Sequence, residues 1–238
     1  MKKGDLILIK KYTVGIATLL IAVFLVACGD DNNEASDANQ EASQSVDIKD
    51  EEKVPEDDVV ATVNGEDVTG KSYNLVYAQL KLFAGQMGEE VDTDEIKNAT
   101  MESLIDRAIL MQHAKEEGIE VTDEDASKEL DTIKEENEDG LSSLLEQYQM
   151  SEDDFIDQLQ FELTLNEFKE KEIDVDVTEE DIEEAYKEAK EENEEIPELD
   201  EIKDQLKGNI QEQKTNEALQ KKIDDIREKA DIEEKLEA

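Results

Sequence analysis

The chain has one cysteine, one histidine, two prolines and no tryptophan in 238 residues. A lone cysteine excludes an intramolecular disulfide, and a lone histidine leaves no histidine-based zinc site. Aromatic residues make up only 4% of the chain, so any core must be aliphatic. Cations are also scarce: 25 Lys and Arg face 68 Asp and Glu, a formal net charge of −43. Such a surface repels phosphate backbones and anionic headgroups, which excludes nucleic-acid binding and peripheral docking on acidic membranes. No glycine-rich phosphate loop is present, and the acidic clusters lack the spacing of a twelve-residue calcium loop. His113 lies in an apolar stretch with no legible partner, so it reads as an ordinary helical residue and not as a base. The sequence therefore supplies no catalytic residue, no metal ligand set, no cofactor and no small-molecule substrate.

What is present begins with a leader. In "MKKGDLILIKKYTVGIATLLIAVFLVAC", Lys2, Lys3, Lys10 and Lys11 precede an apolar run from Val14 to Ala27. That run is shorter than the roughly 20 residues a spanning helix needs, which fits the apolar region of a signal peptide over residues 1–27. The alternative is an uncleaved anchor. Leu25-Val26-Ala27-Cys28 resembles a bacterial lipobox, in which the cysteine sulfur receives a diacylglyceryl group and becomes the new N-terminus. Cys28 is thus the expected lipidation site and the link to a membrane. Cleavage there leaves 21 basic against 67 acidic residues, a net charge of −46. From residue 28 to 57, Asp, Asn, Glu, Ser and Gln dominate, and the few apolar residues cannot offset the ordering entropy. As a flexible acidic tether of about 30 residues it would span roughly 30 Å.

The folded part is expected from residue 58 to 238. Val59 to Val63 alternates loosely, and Asn64-Gly65 supplies the two positive-φ positions of a type I′ turn. Glu66 to Val68 can then return antiparallel. Everything after this hairpin reads as helix. Tyr73, Val76, Tyr77, Leu80, Phe83, Ala84 and Met87 fall on one helical stripe ending near Gly88. A second helix starts near Asp92 or Thr93. Its apolar residues, Leu104, Ile105, Ala108, Ile109, Leu110 and Met111, surround most of its circumference, so it is central and buried, with Gly118 as its C-terminal cap. Thr122, Ser151 and Thr178 each stand three residues before an aspartate, a capping-box pattern that marks three helix starts with structural carboxylates. The helix from Glu152 to about Lys171 carries two offset apolar faces and should contact more than one neighbour. A long closing helix, about residues 198–229, is apolar at both ends and polar over residues 211–217, which predicts a solvent-bridging stretch in an elongated molecule.

The order of these segments resembles SurA-type chaperone domains. "VVATVNGEDVTGKSYN" is similar to their opening strand, Asn-Gly turn and first helix. "LIDRAILMQHAKEEGIEVTDEDASKEL" is similar to their buried helix, Ala-Lys-x-x-Gly-Ile exit and Val-Thr-Asp-Glu restart. "MSEDDFIDQLQFELTLNEF" and "VDVTEEDIEEAYKE" follow in the same order, so the resemblance covers Val59 to about Glu188. Secreted foldase lipoproteins of the PrsA type share the lipobox, tether and chaperone domain. In them, a parvulin peptidyl-prolyl isomerase domain is inserted before a closing helix that resembles "LDEIKDQLKGNIQEQKTNEALQKKIDDIREKADIE". Here only "AKEENEEIPE" stands between lead-in and closing helix, too little for a domain of roughly 90 residues, and the family's active-site histidines and cysteine have no counterpart.

The resemblance implies a mainly α fold, an elongated multi-helix chaperone domain with one N-terminal β-hairpin and a long C-terminal helix. It implies a holdase without the isomerase, tethered on the extracytoplasmic face of a Gram-positive membrane and covering apolar segments of unfolded, newly translocated proteins. Flexible and aromatic side chains suit such promiscuous contact, so Phe83, Met87, Met101, Met111, Met150, Phe161 and Phe168 are the candidate client-binding residues. For each, the alternative is plain core packing. Two rival functions stand beside the holdase: a lipid-anchored helical module with one specific partner, and an isomerase relative with residual activity.

Overall fold

The computed structural model describes residues 48–86, 92–193 and 195–236. The expected signal peptide, Cys28, most of the tether and Met87 lie outside the described residues. A 3-10 turn at Asp50–Glu52 leads into β1 (Val59–Val63), β2 (Glu66–Thr69) and α1 (Gly70–Gln86). The helices α2 (Thr93–Glu116), α3 (Asp123–Tyr148), α4 (Glu152–Glu172), α5 (Glu179–Glu192) and α6 (Leu199–Arg227) follow, and the chain ends in β3 (Ile232–Glu234). The fold is mainly α, as the residue spacing implies.

The hairpin forms where its turn residues demand. Asn64 and Gly65 have φ of 52° and 83°, the two left-handed positions of a type I′ turn, closed by the pair Val63 and Glu66. The sheet has a third strand that the expected hairpin lacks. β3 pairs antiparallel with β1, Val63 opposite Ile232 and Ala61 opposite Glu234, giving the order β2-β1-β3. The sequence hides β3 because "DIEEKLEA" carries no alternation; pairing with a buried central strand overrides local propensity. Asn64 secures the join: its backbone N–H donates to Asp231 O at 2.7 Å, and its side-chain oxygen accepts from Asp231 N–H at 2.8 Å.

Residues 48–57, tether by composition, are docked on α1. Glu52 is the reason. Its carboxylate accepts from Lys49 N–H, from the Tyr77 hydroxyl at 2.9 Å and from Lys81 Nζ at 2.6 Å. Asn74 brackets Val54 by bonding both its N–H and its C=O. At Gly70 a Cβ would stand 2.0 Å from Pro55 O, so the arm reaches α1 only because that residue has no side chain.

The interior divides into three clusters around α2 and α4. The sheet, α1 and the first half of α2 enclose Val60, Tyr77, Ile105 and Ile109. The second half of α2 meets α4 and α6 through Leu110, Phe161, Leu165, Phe168 and Ile223. The α3–α4 pair holds Leu130, Leu141, Phe155 and Leu159. The two offset faces of α4 thus serve two different clusters, and α2 is central, as its apolar circumference implies. Each fully buried Leu, Ile or Phe here contributes about 2 kcal/mol.

On α1 the stripe departs from its expected course. The buried side shifts after Tyr77 to Ala78, Gln79 and Leu82, and Phe83, 100° further round, is left 51% exposed. Thr122, Ser151 and Thr178 form capping boxes with Asp125, Asp154 and Asp181. Gly118 ends α2 in a Schellman pair, with Ile119 N–H donating to Ala114 O and Gly118 N–H to Lys115 O. α3 breaks at Asn137, whose side chain accepts from Gly140 N–H at 2.9 Å and caps the second half. α5 and α6 are joined by residues 193–198 alone. The polar stretch of α6 bridges, as its composition suggests: Gln211 and Lys214 donate to the carbonyls of Val175 and Asp176.

The C-terminal end of α6 is tied to α2 by Arg227, whose Nη1 meets Asp106 Oδ1 at 2.8 Å and Glu102 Oε1 at 3.9 Å. The Asp106 side chain is 4% exposed and that of Arg227 31%. Burial raises the Asp106 carboxyl to about 6, opposed by Arg227 and reinforced by Glu102 and Asp224. A carboxyl that holds its proton more tightly when folded adds stability as pH falls through 6 toward its unfolded value, and loses that contribution as pH rises. We therefore expect Asp106→Asn to remove about 2 kcal/mol of the stability gained on going from pH 7 to pH 4, read by urea titration at both values. At pH 7 the same variant should be at least as stable as the parent, because its amide oxygen still accepts from an arginine that reaches water. Arg227→Ala should cost about 3 kcal/mol there, since it leaves the buried carboxylate unpaired.

Candidate functional site

A groove of about 270 Å³ opens between β2, α1, α2 and α4. Its floor is apolar, with Val68 from β2, Leu75 and Val76 from α1, and Leu104, Ala108 and Met111 from α2. These residues come together where α1 packs on α2 and α4 packs on α2. Met111 and Leu75 are partly buried, each packed at the margin of a different cluster.

The rim is polar and held in place. Lys71 Nζ meets Asp154 Oδ1 at 2.7 Å and ties α1 to the first turn of α4. Burial alone would raise the Asp154 carboxyl. Bonds from Lys71, the Ser151 hydroxyl and the Ser151 N–H outweigh it and hold the carboxyl below its usual value. One residue thus both caps α4 and closes a side of the groove.

Arg107 stands on the opposite side. Its guanidinium lies 4.4 Å from the centre of the Phe161 ring and donates to Gln158 Oε1 at 3.0 Å and Asp157 O at 2.8 Å. Burial lowers it to about 10, with Asp157 and Glu162 opposing, so it remains a cation. Among the described residues no carboxylate oxygen lies within 4.0 Å of it. In a chain so rich in acid, this cation is neutralised by dipoles and a ring face, not by a direct ion pair. It buttresses the α2–α4 contact that shapes the groove. Arg227 is the chain's other arginine.

The candidate residues separate. Met111 lines the groove. Phe83 is exposed on α1. Met101, Met150, Phe161 and Phe168 are buried, Met101 in the sheet cluster, Met150 in the α3–α4 cluster, and both phenylalanines in the α2–α4–α6 cluster. Gln79 reaches Met150 Sδ at 3.9 Å, and His113 sets its ring 5.9 Å from that of Phe168. His113 Nε2 is buried without a hydrogen-bond partner, with Glu117 4.0 Å from it and Glu116 3.5 Å from Nδ1. Lys71, Arg107 and Asp154 escape a reading based on apolar spacing. Arg107 does leave a signal: a charge set within the apolar stretch of α2 must be neutralised or line a gap.

The arrangement can hold apolar matter against a soft floor and bond polar backbone at its rim. It joins no nucleophile to a base. Among the described residues no three His, Cys, Asp or Glu side chains converge to hold a metal ion, and no helix is long and apolar enough to cross a membrane.

Comparison with known proteins adds three findings. A curated relative, the foldase protein PrsA of Caldanaerobacter subterraneus subsp. tengcongensis, is 25% identical over 194 residues, 76% of this chain and 53% of the relative. The chain thus spans about half the length of that relative. No solved structure matches. The model of the SurA-like N-terminal domain covers residues 9–169, more than half of the chain, together with β1, β2, the groove and α1 to most of α4; the chain belongs to the SurA-like N-terminal domain family.

Proposed function

We propose that this protein is an extracytoplasmic holdase, tethered to a membrane through lipid on Cys28, which covers exposed apolar segments of unfolded, newly translocated proteins. The observation that carries the reading is the groove, an apolar floor left open on the surface of a chain that otherwise covers itself with carboxylates. Met111 forms the deformable part of the floor, and Phe83 provides a second exposed contact. A thioether suits clients of differing shape because it repacks at little cost. Membership of the SurA-like N-terminal domain family, together with similarity to a protein called a foldase, supports the same reading.

The dense negative surface keeps a complex with a sticky client soluble. It also makes the protein insensitive to anionic lipid, so a covalent anchor is what would hold it at the membrane. The link of residues 193–198 between α5 and α6 has no room for an isomerase domain, which favours binding without catalysis.

A chain lacking residues 1–28, in stoichiometric excess over a chemically unfolded client, should suppress the client's aggregation as read by light scattering. Absence of suppression would sink the holdase. Met111→Glu puts a charge on the groove floor and should weaken suppression about tenfold, the effect of losing about 1.4 kcal/mol of binding. The same chain should leave the cis/trans exchange of a prolyl peptide at its spontaneous rate of tens of seconds; acceleration would restore the isomerase reading. Mass spectrometry of the protein purified from membranes should find a diacylglyceryl adduct on Cys28 at the mature N-terminus, and a free Cys28 thiol would remove the anchor.

A further inference from the structure

Strand β2 stands at the margin of the sheet, in the order β2-β1-β3, and its outer edge borders the groove. Val63 and Glu66 close the two-residue turn as a hydrogen-bonded pair, so the next pair, Thr62 and Asp67, turns its backbone groups away from each other. Among the described residues nothing bonds the N–H or C=O of Asp67. Its side chain is exposed, whereas that of Val68 is buried with α1 and α2. An unpaired edge is a template for another strand unless something blunts it.

Beyond Asp67 and Val68 the groove continues over α1 and α2 to the first turns of α4. Along α2 its floor is Leu104, Ala108 and Met111, which succeed one another on one side of the helix. Seven residues of helix rise about 10 Å, the length of three extended residues at about 3.4 Å each. In a strand laid against β2, the residue opposite Asp67 shares the outward face of Asp67. Its two neighbours then point with Val68 toward the floor.

Charge restricts what enters. The lining carries two cations, Lys71 and Arg107, against three carboxylates, Asp67, Asp154 and Asp157, leaving one negative charge in excess. Lys71 is taken by Asp154, and Arg107 by Gln158 and the Asp157 carbonyl. Among the described residues Asp67 has no cation partner, and Glu66 beside it is bonded only by the neutral Gln112 amide. An acidic edge blunts pairing with a second copy of a chain of net charge −43, while it admits a neutral or basic strand.

We infer that the groove takes its client as a fourth strand. An extended, non-acidic segment pairs with the N–H and C=O of Asp67 and lays two alternate apolar side chains on Leu104, Ala108 and Met111. The inference rests on the holdase reading and adds how the client is held. Backbone pairing requires no particular sequence, and the floor beneath it selects only for apolar side chains at alternate positions. Unfolded chains of many sequences meet both conditions.

The test uses the full chain in detergent and a fluorescein-labelled Lys-Val-Ser-Leu-Lys peptide, blocked at both ends, read by fluorescence polarisation. The serine is the residue placed opposite Asp67. N-methylation of the serine should weaken binding about tenfold, whereas N-methylation of the leucine, whose N–H faces away from β2, should leave it unchanged. Replacing both lysines by glutamate should also weaken binding about tenfold. In amide exchange followed by NMR, saturating peptide should slow the Asp67 N–H at least tenfold and leave Ile232 N–H, on the opposite edge of the sheet, at its own rate. Equal binding by the two N-methylated peptides, or an unprotected Asp67 amide in the complex, would overturn strand addition and leave the holdase standing. A parent chain that suppresses aggregation yet ignores the peptide would do the same, and one that does neither would remove both. Asp67 protection that appears without peptide and grows with protein concentration would assign the edge to a second copy and overturn the inference.

Discussion

Helix α2 must be covered on nearly every side, and the rest of the molecule is arranged to do it. Ile105, Ile109, Leu110 and Ala114 are all at 0–1% exposure, on parts of the helix that no single neighbour can reach. The sheet and α1 take one side, α4 a second and α6 a third. Coverage of the third side requires the chain to return over more than a hundred residues, from α2 to Arg227. The return is what places the C-terminal segment beside β1 and makes a three-stranded sheet out of a hairpin. Both ends of the described chain, the arm at residues 48–57 and β3, therefore meet over the first cluster.

The excess of acid shapes how this is achieved. With so few cations, several are placed between elements: Lys81 to Glu52 joins the arm to α1, Lys71 to Asp154 joins α1 to α4, Lys222 to Glu172 joins α6 to α4, and Lys214 to Asp181 joins α6 to α5. Exposed pairs contribute little. These pairs are partly shielded and fix the register of one element on the next. Several of the carboxylates already serve as helix caps, so a cap and a bridge share one residue. Asp181 is the sharpest case, held down to about 2 by Lys214 and then by Thr178. Self-repulsion is limited where one carboxylate both caps a helix and receives a scarce cation, as at Asp154 and Asp181.

Local signals in the sequence foretell most of this architecture, because they depend on neighbours in the chain. Asn64-Gly65, the three capping boxes, the Gly118 exit and the two faces of α4 are all short-range chemistry. What escapes depends on distant partners. β3 exists because β1 offers an open edge. Residues 48–57 dock because Glu52 finds Lys81 and Tyr77, although their composition reads as unfolded chain. Phe83 falls on an ideal stripe but faces water because α1 turns its later residues, Gln79 among them, toward α3 and Met150. The groove is harder still, since a cavity is a statement about where side chains stop. Met111 could be named from its flexibility; Arg107 and Lys71 gain meaning only when α4 packs on α2.

The link between α5 and α6 stands apart from the contacts that cover α2. Packing of α6 onto α2 uses Leu219, Ile223 and Arg227, all far from residues 193–198. Packing of α5 onto α6 is a local hairpin in which Ile182 is the one fully covered large side chain of α5. Between the two, Gln211 and Lys214 hold the 175–176 backbone by hydrogen bonds that need no apolar contact. Because the closing contacts and the hairpin are separated by a polar stretch, the cover of α2 does not rest on residues 193–198.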